Sequence, residues 1–351
     1  MNRREFLQAS GATVIAVTVA RGHVAAQGGP FDVAEKSIRE LQAAMTDGRV
    51  TAERLVELYL QRIATYDRNG PRLNAVIHIN PNAARDAREL DAERKARGSR
   101  GPLHGIPVLL KDNFETRDMP TTGGSLALRG VVPPRDAFQV AQLRRAGAVL
   151  LGKVNLHELA LGLTSISSLG GQTLNPYDVR RAPGGSSGGS GVAAAACFAA
   201  FTLGTDTSGS IRIPSSHNSL VGLRPSAGLS SRAGIIPFGH TQDTGGPMAR
   251  TVEDVALVLD ATAGYDPADP TTQASSGRIP PSYTTSLKDG ALSTARIGVL
   301  TELFGSAPED QEVALVVRRA IDEMKMRGAT PVDIVVADLA KLVAAANLLT
   351  Q

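Results

Sequence analysis

The amino-acid sequence predicts an α/β protein in which a mixed, largely buried central β-sheet is covered by helices. Short apolar runs of strand length alternate with longer segments whose apolar residues recur at helical spacing. These runs lack the polar alternation of a half-exposed strand, which is typical of strands buried on both faces. The 351-residue chain is long enough for one large domain, and we expect that domain to span residues 31–351.

The first 26 residues are predicted to be an export signal that precedes the folded domain. Arg3 and Arg4 stand before a mildly apolar run at residues 11–20, and residues 24–26 (Val-Ala-Ala) are the small residues of a cleavage site. This pattern predicts a twin-arginine-type signal peptide over residues 1–26, the twin-arginine export machinery as a partner, and a periplasmic or extracellular location of bacterial type. A merely basic N-terminus on a cytoplasmic protein is the alternative.

Three helices are expected early in the chain. Apolar residues recur at helical spacing over residues 33–45, and Thr51 can cap a second amphipathic helix that reaches about Tyr66. Residues 83–97 alternate alanine with charged residues and predict a solvated helix with exposed i,i+4 ion pairs. We assign no function to these charges.

The strands and the remaining helices follow. Four apolar runs are predicted as strands, at residues 106–110, 148–152, 201–204 and 295–300. Asp136 is expected to cap one helix, and Thr251 with Asp254 forms a capping-box-like start to another. Residues 192–201 predict a buried helix of small residues that leads into a strand. Residues 266–291 are expected to form a surface excursion.

Charge and cysteine content exclude several classes of function. The formal net charge is +3, of which +2 comes from the first 26 residues, so nothing in the charge pattern predicts nucleic-acid binding. The single cysteine, Cys197, excludes an intrachain disulfide and thiolate zinc clusters. The six histidines show no paired metal spacing. We therefore predict no metal and no cofactor.

Serine and glycine are concentrated in the centre of the chain, where two generic motifs also match. Residues 184–188 fit G-x-S-x-G, and Asp206 with His217 or His240 could complete a hydrolase triad, but no apolar strand precedes this turn. Residues 189–194 fit a dinucleotide fingerprint, again without the preceding strand. The first motif is kept as an alternative and the second is discounted.

Three sequence blocks in a fixed order resemble the catalytic blocks of the amidase signature family. They are GIPVLLKDN at 105–113, GGSSGGS at 184–190 and GTDTSGSIRIPSS at 204–216. The resemblance is strongest over residues 38–265. It implies the amidase signature fold, hydrolysis of carboxamide C–N bonds in a small-molecule amide through an acyl-enzyme, and no cofactor.

The resemblance places the family's catalytic lysine on Lys111, its relay serine on Ser186 and its acylated nucleophile on Ser210. In the family, a cis peptide bond precedes the relay serine. The local sequence agrees with these roles, because a lysine at the end of an apolar strand can be desolvated and act as an uncharged base. Taken singly, the three residues could also be a surface lysine, a turn residue and a helix cap.

The resemblance also implies an oxyanion hole made of backbone N–H groups. Its four residues are Thr207, Ser208, Gly209 and Ser210. Ser208 stands where the family usually has glycine, and we expect this change to be tolerated. Asp206 and Ser187 are expected to support the loops through backbone hydrogen bonds.

Two other functions remain open at this stage. Family members usually continue past the point where this chain stops, so a shortened, inactive homologue that is unstable or dimeric is one alternative. A glutaminase-type amidotransferase subunit is the other, although the export signal argues against it. The amide preference, the oligomeric state and the choice between hydrolysis and acyl transfer are not determined by these motifs.

Overall fold

The chain divides into two compact units, Met1–Ser282 and Tyr283–Gln351. The computed structural model describes residues 31–348 of them. The signal peptide expected at residues 1–26 lies outside the described residues, and the single domain over residues 31–351 stays a prediction. Among the helices of the described residues, none is both long and apolar enough to cross a membrane.

The first unit is built on a mixed six-stranded sheet. Its strands are β1 (Val76–Ile79), β2 (Pro107–Lys111), β3 (Val149–Val154), β6 (Phe201–Asp206), β7 (Val221–Gly222) and β8 (Thr244–Ala249). A separate pair is formed by β4 (Ile166–Ser167) and β5 (Gly171–Gln172). The strand order is β1-β3-β2-β6-β8-β7, with β2 parallel to β3 and β6, and with β1, β8 and β7 antiparallel to their neighbours. The predicted fold class is confirmed.

Strands β2 and β6 lie side by side in the middle of this sheet. Val108 pairs with Phe201 and Leu110 with Leu203, so the carboxyl ends of both strands reach the same edge. Both strands are buried along their whole length. Residues that follow the two strands are therefore neighbours in space although about ninety positions separate them in the sequence.

Seven α-helices accompany the sheet in the described part of the first unit. They are α1 (Ile38–Thr46), α2 (Ala52–Arg62), α3 (Ala83–Arg97), α4 (Phe138–Arg145), α5 (Gly188–Ala195), α6 (Arg212–His217) and α7 (Val252–Thr262). Helix α1 begins at Ile38 and not near residue 33, because Ser37 and Glu40 form a capping box. The predicted Thr51 cap is confirmed by its bond from Arg54 N–H, and α2 continues as a π-helical turn, Ile63–Arg68.

Helix α5 is the buried small-residue helix that the sequence predicts, although it begins at Gly188 and ends at Ala195. All eight of its residues are buried. At Gly189, a Cβ atom would lie 2.2 Å from the Asn155 carbonyl oxygen, which leaves no room for a side chain. The helix therefore approaches the backbone of its neighbours closely and fixes the position of the loop before it.

Two predicted helix caps differ in the structure. Asp136 does not cap α4, because its carboxylate accepts a hydrogen bond from Arg117 N–H at 3.0 Å and pairs with Arg144 at 3.1 Å. Thr251 does cap α7 by accepting from Asp254 N–H at 3.0 Å. The Asp254 carboxylate, however, reaches Ile38 N–H at 2.9 Å and so connects α7 to the start of α1.

The second unit contains a parallel pair of strands, β9 (Arg296–Val299) and β10 (Thr330–Asp333), together with α8 (Pro308–Met326) and α9 (Leu339–Leu348). The strand predicted at residues 295–300 is thus a strand, but it belongs to this separate sheet. Residues 266–291, expected as one excursion, contain the boundary between the units. Their first part is anchored, since Asp269 is buried and pairs with Arg232 at 2.7 Å.

The close approach of β8 to the loop after β7 provides a test of the sheet packing. A Cβ atom at Gly246 would lie 2.3 Å from the Leu223 carbonyl oxygen and 2.7 Å from Pro225 Cδ. We expect Gly246→Ala to lower the free energy of unfolding by about 1–3 kcal/mol through overpacking, as measured by chemical denaturation. Gln61→Ala, on the exposed face of α2, is the control and should change it by less than about 0.5 kcal/mol. Equal midpoints for the two variants would contradict this packing.

Candidate active site

A fully buried lysine stands at the carboxyl end of β2. Lys111 is 0% exposed, and its Nζ donates hydrogen bonds to Ser186 Oγ and to Thr205 Oγ1, each at 2.7 Å. Burial lowers the pKa of Lys111 to about 7, because water no longer stabilises the ammonium, while the negative charges of Asp206 and Asp243 act in the opposite direction. Near neutral pH the side chain therefore exists partly as a free amine, which is the state that a base requires.

The loop before α5 presents Ser186 to this lysine. The Gly185–Ser186 peptide bond is cis, as the family resemblance implied. The carbonyl of Ser186 accepts from His157 N–H at 2.9 Å, and Ser165 Oγ donates to the Gly184 carbonyl at 2.8 Å. Since Ser186 is fully buried and its loop is bonded on both sides, the hydroxyl is fixed against Lys111 Nζ.

Ser210 lies on the loop between β6 and α6. The Ser187 N–H donates to the Ser210 carbonyl at 3.3 Å, so the two serine-bearing loops are in direct contact. Ser210 is 6% exposed, and within residues 31–348 its hydroxyl has no hydrogen-bond partner. The structure thus joins Lys111 to Ser186 directly and places Ser210 on the adjoining loop. Proton exchange between the two serine hydroxyls stays a prediction.

Asp206 organises the loop that carries Ser210 through hydrogen bonds to its backbone. Its buried carboxylate accepts from Gly209 N–H at 2.8 Å and from Ile211 N–H at 3.0 Å, and it pairs with Arg212 at 3.2 Å and Arg224 at 3.4 Å. Burial alone would raise the pKa of Asp206, but Arg212 and these backbone donors outweigh it and hold the pKa below its usual value. The carboxylate is therefore ionised at neutral pH.

This arrangement corrects one member of the expected oxyanion hole. The Gly209 N–H is already bonded to Asp206 and is not free to bind an oxyanion. The N–H groups of Thr207, Ser208 and Ser210 have no acceptor in the described part of the chain. Ser208 is exposed, so its hydroxymethyl group does not fill the loop. Three of the four predicted backbone donors remain available.

Ser187 connects the opposite loop to β6. Its Oγ donates to the Thr205 carbonyl at 3.0 Å and accepts from the Thr205 N–H at 3.2 Å. These two bonds attach the start of α5 to the end of β6. They therefore fix the position of the relay serine relative to the strand that precedes the nucleophile loop.

Two residues near the lysine received no role from the sequence. Thr205 accepts a hydrogen bond from Lys111, and Asn113 Nδ2 donates to the same Thr205 Oγ1 at 3.0 Å. Both are buried, with exposures of 6% and 2%. Both lie inside the blocks that carry the family resemblance. The signal that could have identified them is their position, since Asn113 is two residues after Lys111 and Thr205 is one residue before Asp206.

A second buried lysine supports the turn after β2. Lys153 Nζ donates to the Phe114 carbonyl at 2.7 Å and to Thr121 Oγ1 at 2.9 Å, and it lies 3.5 Å from Asp112. Burial lowers the pKa of Lys153 to about 8, while the Asp112 carboxylate acts to raise it. Lys153 thereby anchors the segment that follows Lys111, and within the described residues it has no hydrogen bond with Ser186.

The alternative Ser–Asp–His arrangement is not formed. Asp206 is engaged by arginines and backbone N–H groups, and among the hydrogen bonds of residues 31–348 it has none with His217 or His240. No strand lies between β5 and α5, so Ser186 does not follow the strand that a nucleophile elbow requires.

Comparisons with known proteins agree with this geometry. A family model described as Amidase matches residues 54–350. A protein named probable amidase from Arabidopsis thaliana is 44% identical over 279 residues, or 77% of this chain and 54% of that protein. A glutamyl-tRNA(Gln) amidotransferase subunit from Thermobifida fusca is 45% identical over 270 residues, 77% of this chain and 53% of that protein. The native peptide amidase of Stenotrophomonas maltophilia has a TM-score of 0.87 and 46% identity, covering 92% of this chain and 66% of that one.

These matches cover most of this chain but a smaller share of each relative. The chain spans about half the length of the curated relatives it matches. In this chain, the residues 54–350 matched by the family model include Lys111, Ser186 and Ser210.

The buried lysine predicts a specific dependence of stability on pH. Between about pH 7 and 10.5 the unfolded chain binds a proton on Lys111 that the folded chain does not. The free energy of unfolding should therefore rise with pH in this window, by ~1.4 kcal/mol per pH unit from this group. Lys111→Met should lack that contribution, while Lys153 contributes equally in both proteins. The free energy of unfolding is measured by chemical denaturation at several pH values from 7 to 10. Equal slopes against pH for the two proteins would show that Lys111 is charged in the folded state.

Proposed function

The chain belongs to the amidase family, and from this premise we propose that it hydrolyses carboxamide C–N bonds through an acyl-enzyme on Ser210. The observation that carries the proposal is the 2.7 Å hydrogen bond between the buried Lys111 and Ser186, next to the loop of Ser210. A lysine whose pKa is about 7 can accept a proton near neutral pH.

Acylation begins with proton movement towards the lysine. The free amine of Lys111 takes the proton of Ser186, and Ser186 takes the proton of Ser210 as Ser210 Oγ attacks the amide carbonyl carbon. Negative charge develops on the carbonyl oxygen. The free N–H groups of Thr207, Ser208 and Ser210 are the donors available to stabilise it.

Collapse of this intermediate breaks the C–N bond. The proton stored on Lys111 returns through Ser186 to the leaving nitrogen, which departs as ammonia or an amine. A water molecule then attacks the acyl carbon, and its proton passes through Ser186 to Lys111. The second intermediate collapses as the bond between the acyl carbon and Ser210 Oγ breaks, and the proton held by Lys111 returns through Ser186 to Ser210 Oγ. The products are a carboxylic acid and the regenerated Ser210 hydroxyl.

Two of the relatives indicate which amides to test first. A peptide amidase shares 46% identity with this chain, so peptide amides are the first substrates we propose. The glutamyl-tRNA(Gln) amidotransferase relative, which is 45% identical, supports glutamine as a second amide. Ammonia release is measured in two separate assays, one with a peptide amide alone and one with free glutamine alone. The amide that releases ammonia faster is the preferred substrate.

The nucleophile can be tested without knowing the substrate. A fluorophosphonate should label Ser210, as identified by mass spectrometry of the peptide. Ser210→Ala should abolish labelling and lower amide hydrolysis by at least ~10³-fold, and Ser186→Ala and Lys111→Met should slow labelling strongly. Ser226→Ala, at an exposed serine outside both serine-bearing loops, is the matched control and should label normally. Labelling of Ser186 in an active protein would refute the proposed roles.

We also propose that the twin-arginine machinery exports the protein to the periplasm or beyond. The paired Arg3 and Arg4 and the apolar run after them support this proposal. Residues 1–40 fused to a reporter that is active only after twin-arginine export should give activity. The variant with both arginines replaced by lysine keeps the charge and should give none. Equal reporter activity from the two fusions would rule out this route.

A further inference from the structure

The hydroxyl of Thr205 is shared between the lysine and a buried amide. Thr205 Oγ1 lies 2.7 Å from Lys111 Nζ and 3.0 Å from Asn113 Nδ2. The other end of that amide, Asn113 Oδ1, is buried and has no hydrogen-bond partner among the described residues. A buried carbonyl oxygen without a donor is uncommon in folded proteins and calls for an explanation.

The hydrogen bonds of this group correspond to the charged lysine. An ammonium has only donors, so Lys111 donates to Ser186 and to Thr205 at once. When the lysine loses a proton, its nitrogen keeps two N–H donors and gains one lone pair, which can accept a hydrogen bond from either hydroxyl. If Ser186 donates to the lone pair, the lysine is poised as a base. If Thr205 donates instead, the lone pair is blocked.

We propose that Asn113 is a positioning residue that decides between these two states. Rotation of its amide by 180° turns Oδ1 towards Thr205, where it accepts the Thr205 proton. Thr205 can then only accept from Lys111, and the lone pair of the lysine faces Ser186. This inference rests on the proposed function, because it concerns the base of that reaction. The unpartnered Oδ1 is the acceptor that the productive state requires.

Backbone hydrogen bonds hold the main chain around Asn113, so a rotation of its amide does not require the backbone to move. Its carbonyl accepts from Ile236 N–H at 2.9 Å, and the next residue, Phe114, donates its N–H to the Lys111 carbonyl at 3.1 Å. Phe114 also bridges to Ile235 of the same neighbouring segment. The main chain around Asn113 is thus fixed on both sides, and its side chain acts on Lys111 only through Thr205.

The test measures the rate at which a fluorophosphonate labels Ser210 as a function of pH. In this reaction the Ser210 Oγ–P bond forms, the P–F bond breaks, fluoride leaves, and the serine proton passes to Lys111. The proteins compared are the wild type, Asn113→Ala, Asn113→Asp, Thr205→Val and the double variant Asn113→Ala/Thr205→Val. Melting temperatures report whether each variant is folded.

Asn113→Ala should lower the rate at the alkaline plateau by about tenfold, the value of one hydrogen bond. Asn113→Asp keeps an acceptor on Thr205, so its plateau should stay within about twofold of the wild type. Its acid limb should move to higher pH, because the carboxylate favours the ammonium form of Lys111. In the Thr205→Val background, Asn113→Ala should have no further effect, since Asn113 acts only through Thr205.

Two results would overturn the inference. One is an Asn113→Ala effect of the same size in the wild-type and Thr205→Val backgrounds, which would show a role independent of Thr205. The other is an Asn113→Asp plateau about tenfold or more below that of the wild type, and this result decides alone if the alanine variant does not fold. Labelling of a residue other than Ser210 in the wild type would contradict the proposed function itself. If Ser210 is labelled but the effects of Asn113→Ala and Thr205→Val on the labelling rate are additive, only the role of Asn113 is contradicted.

Discussion

The burial of one lysine amine at the end of β2 is the constraint on which the described site depends. An amine without water must find hydrogen-bond partners, and Lys111 finds two hydroxyls, those of Ser186 and Thr205. Neither partner carries a charge that would hold the lysine in its ammonium form. The same enclosure that makes the residue costly to bury therefore makes it a base near neutral pH.

The fold supplies this enclosure through neighbouring strands and one close-packed helix. Strands β2 and β6 place Lys111 and Thr205 at the same edge of the sheet. Ser187 attaches the start of α5 to β6, and Asp206 shapes the loop beyond it. Each group in the proposed reaction is thus fixed by backbone hydrogen bonds as well as by packing, which is the kind of support that preorganised sites require.

Sequence patterns predicted the parts of this structure that have a strong local signal. The apolar runs of β2, β3 and β6 were recognised because buried parallel strands have nearly continuous apolar sequences. Strand β8 was not recognised, since Gly245, Gly246 and Pro247 are typical of turns, and only the close approach of a neighbouring chain segment explains them. The engagement of Gly209 by Asp206 and the failure of Asp136 to cap α4 both depend on which polar partner lies nearest in three dimensions, which periodicity does not encode. The resemblance assigns roles to Lys111, Ser186 and Ser210. The contact of the Asn113 amide with Thr205 is visible only in three dimensions.

Helix α5 has a consequence for how such a site can diversify. Its residues Gly188–Ala195 are all buried, and the helix packs against the sheet immediately after the relay loop in the sequence. A larger side chain at Gly189 would press against the Asn155 backbone and so shift the loop that carries Ser186. Substitutions that change the choice of amide are therefore expected outside this helix.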